Sequence, residues 1–244
     1  MEYFKVPWDS TLFGMAVAEI RKINIDKLGK AEISFDQFKQ WLINERIEFC
    51  TARVPHADLL TSLFLEAQGF RFIELNYQPV LTSLPNHDLP RSPISIVKAE
   101  LADQSLLADA AGQVYGNERF HKDPAIDPNL ADERYRRWMT SAFKAPDQTV
   151  YKCIKKGKIV GFFVVEMPEK GVVFWSLIGI LPQYQGKGIG KQAWVAMLDH
   201  HQKQGAEKVY TSLTSRNTAV FNLYVALGFR FPEPNAIFHW AARR

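Results

Sequence analysis

Cysteine is nearly missing from the 244-residue chain: Cys50 and Cys153 are the only two, and neither belongs to a Cys-x-x-Cys pair. That excludes a disulfide framework and a Cys-rich zinc site, and it suits a reducing compartment, so a cytoplasmic protein is expected. Long apolar runs are missing as well. None approaches the roughly 20 residues that cross a bilayer, and the opening MEYFKVPWDS has neither the basic nor the apolar region of a secretory signal. His56, His87, His200, His201 and His239 show no metal-ligand spacing, so no metal is expected. Charge of one sign is in modest surplus only. A formal net charge of +4 suits an enzyme that handles small polyanions and gives little footing for nucleic acid. What the chain does have is a 47% hydrophobic content, which excludes a disordered polymer.

Prolines 85, 90 and 93 fall within the polar stretch Leu84–Ser92 and its neighbour. Such a segment continues neither a helix nor a central strand, so residues 85–93 read as a linker. It separates an expected first domain, 1–84, from a second, 94–244. The two halves resemble each other. Gly69-Phe70-Arg71-Phe72 recurs 159 positions later as Gly228-Phe229-Arg230-Phe231, and the same offset sets Asp58 on Asn217 and Leu65 on Tyr224. Each half then contains a strand, an amphipathic helix and a Gly-Phe turn into another strand.

In the second half, apolar periodicity predicts helices over Ala102–Tyr115 and Ala131–Phe143, with an irregular segment, Gly116–Asn129, between them. Alternation predicts strands at Ile94–Lys98, Thr149–Lys155, Lys158–Glu166, Gly171–Leu181 and Glu207–Leu213. A further helix runs from Gly188 to about Gln204. The order gives an α/β architecture: a mixed, twisted sheet with helices on both faces.

The most informative segment is Ile178-Gly179-Ile180-Leu181-Pro182-Gln183-Tyr184-Gln185-Gly186-Lys187-Gly188-Ile189-Gly190. An apolar strand enters a loop with glycines on alternate positions, and a helix leaves it. Glycine lets backbone N–H groups turn inward, and the helix start adds unpaired donors and its positive dipole end, so a pyrophosphate is the natural guest. No Gly-Lys-Ser/Thr follows, so this is no Walker loop, and the spacing departs from Gly-x-Gly-x-x-Gly. On its own the segment leaves a Gly-rich surface turn open.

Two ordered motifs carry a resemblance. Gln185-x-x-Gly188-x-Gly190 and Asn217-Thr218-Ala219-Val220-Phe221-Asn222-Leu223-Tyr224-Val225-Ala226-Leu227-Gly228-Phe229 are similar to the pyrophosphate loop and the Asn…Leu-Tyr…Gly-Phe signature of the GCN5-related N-acetyltransferase (GNAT) superfamily, over about Ser92 to Arg244. The resemblance implies a GNAT fold, preceded here by a degenerate GNAT-like half, with acetyl-CoA or another short acyl-CoA as cosubstrate. It implies that two strands splay apart to admit the pantetheine arm between Leu177–Leu181 and Val209–Leu213. Backbone groups of Ile178, Gly179 and Ile180 would pair with that arm and offer an oxyanion donor. Gln185, Gly186, Lys187, Gly188, Ile189 and Gly190 would hold the pyrophosphate, with Asn217 and Phe221 beside the arm. Tyr224 stands at the general-acid position, and a free phenol with a pKa near 10 stays protonated at neutral pH. Its first-half counterpart, Leu65, donates no proton, and Asp26–Ala31 lacks the alternating glycines, so the first half reads as catalytically silent.

Acceptor choice in this superfamily is expected from the first two helices and the loop between them. That loop holds Arg119, which suits a phosphate, and His121 and Asp123, which suit an ammonium group. Trp175 is a further candidate from the fourth strand. Trp8-Asp9-Ser10-x-Leu12-Phe13-Gly14, together with Glu118–Pro124 before Tyr135-x-x-Trp138, resembles bacterial nucleotide-sugar N-acyltransferases of the TDP-fucosamine type. That resemblance implies N-acylation of a TDP-linked amino-dideoxyhexose for surface-polysaccharide (lipopolysaccharide) synthesis. The alternatives are acetylation of a protein N-terminus, lysine or polyamine, or CoA binding without turnover. The expected partner is a small molecule, with no nucleic acid and no membrane, and a homodimer is allowed rather than required.

Overall fold

The computed structural model describes residues 1–25 and 28–242. The stretch Asp26–Ala31, set against the glycine loop above, lies outside the described side chains. The first half contains β1 (Glu2–Lys5), α1 (Pro7–Phe13), β2 (Val17–Lys22), α2 (Leu28–Asn44), β3 (Phe49–Pro55), α3 (Leu59–Ala67), β4 (Arg71–Tyr77) and β5 (Val80–Leu81). The second contains β6 (Ser95–Lys98), α4 (Gln104–Val114), α5 (Arg119–Lys122), α6 (Pro128–Ala142), β7 (Gln148–Lys155), β8 (Lys158–Glu169), β9 (Val172–Ile180), α7 (Ile189–Lys203), β10 (Lys208–Thr211), β11 (Leu213–Thr214), α8 (Thr218–Ala226) and β12 (Asn235–Ala241). The short α5 lies inside the segment expected to be irregular.

The internal repeat has a local structural basis. Asp58 caps α3 by accepting the Thr61 N–H at 3.1 Å, and Asn217 caps α8 by accepting the Val220 N–H at 3.2 Å. Both helices therefore begin at matched positions, because a short polar side chain satisfies an otherwise orphaned donor. Past both helices the chain reverses through a left-handed glycine, Gly69 at φ +87° and Gly228 at φ +80°, a conformation that a Cβ disfavours.

Two six-stranded mixed sheets form, in the orders β1-β2-β3-β12-β4-β11 and β5-β10-β9-β8-β7-β6. In each, a strand pairs in parallel with the next one along, β2 with β3 and β9 with β10. The sheets do not divide at the 85–93 segment. The C-terminal strand β12 lies between β3 and β4 of the first sheet, and β5 closes the edge of the second beside β10. The strand expected over Glu207–Leu213 breaks at Ser212: β10 belongs to the second sheet and β11 pairs with β4 of the first. The Ser212 hydroxyl and the Asn76 carboxamide exchange hydrogen bonds at 2.9 and 3.1 Å across this joint. Nor is the proline-rich segment loose, since Gln202 Nε2 donates to the carbonyls of Leu84 at 2.7 Å and His87 at 3.0 Å.

Helices cover both faces of the sheets. Beneath the second sheet, α7 and α8 bury Trp194, Met197 and Tyr224 against Phe163 and Trp175. Leu107 of α4 and Met139 of α6 pack on its other face against Phe162 and Leu177. In the first half, Phe35 and Phe38 of α2 meet Phe64 and Phe70. The remaining face of the first sheet packs through Phe49 onto Phe13 and Phe120, so the α4–α6 connection is clamped between the halves. Each such buried aromatic contributes roughly 1.5–3 kcal/mol relative to an exposed one.

Candidate active site

The site begins where β9 and β10 part. They pair from Lys208↔Val172 to Thr211↔Trp175, after which β10 ends and β9 runs on to Ile180. Against β8, Val165 faces Trp175 while Val164 faces Leu177, so Ser176 is a bulged extra residue. A bulge bends its strand and re-aims the backbone that follows. The main-chain groups of β9 beyond Ser176 thus border a gap. Those of Ile178 are engaged there: the Tyr115 hydroxyl accepts the Ile178 N–H at 2.6 Å and donates to the Ile178 carbonyl at 2.5 Å. Gly179 stands opposite, packed so closely that a Cβ would lie 2.5 Å from the Phe162 ring.

Next comes the loop. Gly186 and Gly188 both have φ +71°, and no neighbour lies within 4 Å of where their Cβ atoms would be. Glycine is required at these positions by backbone conformation and not by crowding. Gly188 caps α7 without a side-chain hydrogen bond, so the first N–H groups of this 15-residue helix keep no side-chain acceptor. Gln185 Nε2 holds the Ile180 carbonyl at 2.8 Å and Lys187 Nζ the Gln183 carbonyl at 2.8 Å, which fixes the loop. Ile189 is buried in the core and anchors the start of the helix. Gly179, Ile180, Gln185, Gly186, Gly190 and Asn217 line a cavity of about 370 Å³ that runs up to the Ile178 gap.

A smaller cavity, about 80 Å³, shares Tyr115, Glu118, Ile178 and Trp194 with the first and ends at Tyr224. The Tyr224 phenol is pushed well above its usual pKa by burial, only partly offset by Trp194 and Thr211 beside it. It therefore holds its proton at any physiological pH. The Trp194 indole N–H is buried at the same cavity, beside the Tyr224 phenol. Phe221, expected beside the arm, packs edge-on against Tyr77 at 5.5 Å and at a tilt against Phe231 at 4.2 Å, where the halves meet.

Of the four expected acceptor residues, two have no surface to offer one. Trp175 is fully buried and its indole N–H donates to His201 at 3.1 Å. Asp123 is 1% exposed and bonds His239 Nδ1 at 2.8 Å and the Ala125 N–H at 2.9 Å. It ties the acceptor loop to β12. His121 is bonded through Nε2 to Asp132 at 2.9 Å and lies parallel to Tyr135. Arg119 stacks on Phe120, 4.7 Å from the ring centre, with no carboxylate within 4.0 Å among the described residues.

Sequence reasoning passed over Glu118. It lines both cavities, and its carboxyl is pushed up from 4.5 to about 8 by burial first and by Glu74 second, against Arg119, Arg134 and Arg216. A proton acceptor tuned to neutral pH beside a protonated phenol is an acid–base pair. The only available signal was a lone glutamate preceding Arg119-Phe120, and only the fold reveals its burial. Among the described residues, no group of His, Cys, Asp or Glu is placed to hold a metal ion, and no helix is long and apolar enough to cross a membrane.

Residues 115–229 match the model of the acetyltransferase (GNAT) family. Over 95% of its length the chain is 16% identical to the spore coat polysaccharide biosynthesis protein SpsD of Bacillus subtilis, covering 80% of that protein. A shorter stretch of 53 residues, 22% of this chain and 16% of the relative, is 42% identical to mycothiol acetyltransferase of Renibacterium salmoninarum. Among solved structures, a GCN5-related N-acetyltransferase from Sphaerobacter thermophilus superposes with a TM-score of 0.70 at 13% identity, over 99% of this chain and 76% of the other. A tandem GNAT protein of clavulanic acid biosynthesis follows at 0.62 and 14% identity, over 93% of this chain and 76% of that one. These likenesses fix the fold.

Proposed function

We propose that this GNAT-family N-acyltransferase moves a short acyl group, acetyl or hydroxyacyl, from CoA to the amino group of a nucleotide-linked (TDP) amino-dideoxyhexose. The observation that carries the reading is the shared lining of the two cavities: one leads from the glycine loop, the other ends at Tyr224, and Glu118 borders both. The pantetheine arm would enter the gap beside Ile178 as an added strand, displacing the Tyr115 hydroxyl. The pyrophosphate would rest on the amides of Gln185–Gly190. The free amine attacks the thioester carbonyl, forming the C–N bond. Glu118 takes the proton released from nitrogen, the C–S bond breaks, and Tyr224 gives its proton to the departing thiolate. An N–H exposed near the Ser176 bulge would stabilise the oxyanion.

The sugar acceptor is supported by the nearly full-length likeness to SpsD and by the arginines over the acceptor loop. A protein N-terminus is the competing acceptor, because 46% of the chain is 21% identical to the ribosomal protein bS18-alanine N-acetyltransferase of Escherichia coli. Incubation with acetyl-CoA and panels of TDP- and UDP-amino sugars or peptides, with thiol release followed, separates the two. Release with peptide alone overturns the sugar reading. Tyr224→Phe should keep CoA affinity and lose about 10²-fold or more in turnover. Undiminished turnover removes Tyr224 from the mechanism.

A further inference from the structure

One face of the first sheet carries Arg53 on β3 and Glu74 on β4, on the side where Phe49 packs against Phe120. Phe120 is 1% exposed and lies parallel to the His239 ring of β12. Arg119 is thereby held over this face from the second half, and Arg134 of α6 lies 4.7 Å from the same Phe120 ring. Arg216, which follows β11, reaches Glu74 at 3.4 Å and the Ile73 carbonyl at 2.5 Å. Four guanidinium groups from both halves thus converge on the seam.

Their charges do not balance. Asp9 matches Arg134 at 2.9 Å. Glu74, 2% exposed, is held by the Thr214 hydroxyl at 2.7 Å and by Arg216. Arg53 and Arg119 have no carboxylate within 4.0 Å among the described residues. Burial, Arg134 and Arg53 all disfavour the charge on Arg119, and Glu74 is its main counterweight. Glu118, the other acid nearby, keeps its proton through most of the neutral range. Three cations therefore face one carboxylate, Arg119 half-buried and Arg53 and Arg216 open to solvent, so an anion arriving from solvent can reach all three.

We infer that this seam is a receptor for a phosphate group of the acceptor, gripped by Arg53, Arg119 and Arg216, with the first half forming one wall. The inference rests on the acyltransferase reading and specifies where the acceptor is held. The diphosphate bridge of a nucleotide-linked sugar carries one negative charge on each phosphate, two in all, which matches the surplus of three arginines over Glu74, and its oxygens suit the planar forks of guanidinium. Glu118, next to Arg119 in the chain, places the amine-bearing end toward Tyr224.

The test uses the full chain saturated with CoA, so that the glycine loop is already filled, and titrates thymidine diphosphate by calorimetry, with succinate as the carboxylate arm. One saturable site is expected, weakened at least about tenfold in both Arg53→Gln and Arg119→Gln, with unchanged CoA affinity. Both variants should melt no lower than the parent without ligand, since a repulsive charge has been removed. Absence of binding to the CoA complex, equal binding in both variants, or equal affinity for succinate overturns the receptor. Acyl transfer is read separately. Diphosphate binding without transfer to any TDP-amino sugar sinks the enzymatic reading and leaves the receptor standing. Transfer to a phosphate-free amino sugar at the same kcat/KM sinks the receptor and leaves the acyltransferase.

Discussion

At the scale of single residues, the opposite tasks proposed for Glu118 and Tyr224 share one physical cause. Burial raises the pKa of both, making the phenol a dependable donor and the carboxyl an acceptor poised near neutrality. Turnover should therefore rise with pH through about 8. Glu118→Gln should flatten that limb and lower kcat by about 10²-fold or more, with little change in the KM for acyl-CoA. Stability moves the other way. A carboxyl whose folded pKa lies above its unfolded value stabilises the fold fully below 4.5, and that contribution is lost as pH rises toward 8. Thermal melts should show Glu118→Gln gaining on the parent at pH 9 relative to pH 6. Little of this pair was legible in the sequence. Tyr224 stood in a recognisable motif, whereas Glu118 acquires its character from Glu74 and from arginines brought in by other elements. The burial of Asp123 and Trp175 was not legible for the same reason, because whether a polar or aromatic side chain faces solvent or the core depends on tertiary packing.

Among the elements, the loop between β9 and α7 was the most readable, since its requirement is written in backbone conformation. Gly188→Ala forces a Cβ into the left-handed region at a cost of about 1–2 kcal/mol. Acyl-CoA affinity should fall about fivefold or more while kcat at saturation is nearly kept. Titration by calorimetry beside steady-state kinetics checks this, and unchanged affinity would show that the loop backbone does not grip the carrier. The strands of the second sheet followed from alternation, and α7 and α8 from periodicity and their flanking glycines. The break at Ser212 did not. Val209, Thr211 and Leu213 alternate as one strand would, yet the chain changes sheets between them because β4 offers Tyr77 and Asn76 as partners. The short α5 was hidden by the charge and proline of its surroundings, and it is fixed by Phe120 entering the first half's core.

For the whole molecule, the reciprocal placement of β5 and β12 outweighs the sequence linker. A fragment of residues 1–93 lacks the strand that bridges β3 and β4, and both would present unpaired central edges. Such a fragment should fail to fold alone, and the intact chain should unfold in one calorimetric transition. A stable, dispersed spectrum from residues 1–93 would count against this interdependence. The internal repeat was legible from the Gly-Phe recurrence and from Asp58 and Asn217 at the same offset. Strand order was not, because pairing between distant segments leaves no periodic trace.

The trade of strands also bears on what can be removed from the chain. The first half has Leu65 where the second has Tyr224, and so lacks that proton donor. Deleting that half would nevertheless strip β5 from the sheet in which β9 and β10 part and leave β12 without a home. Each half therefore completes the other's sheet, and the first is a structural companion that the second does not fold without.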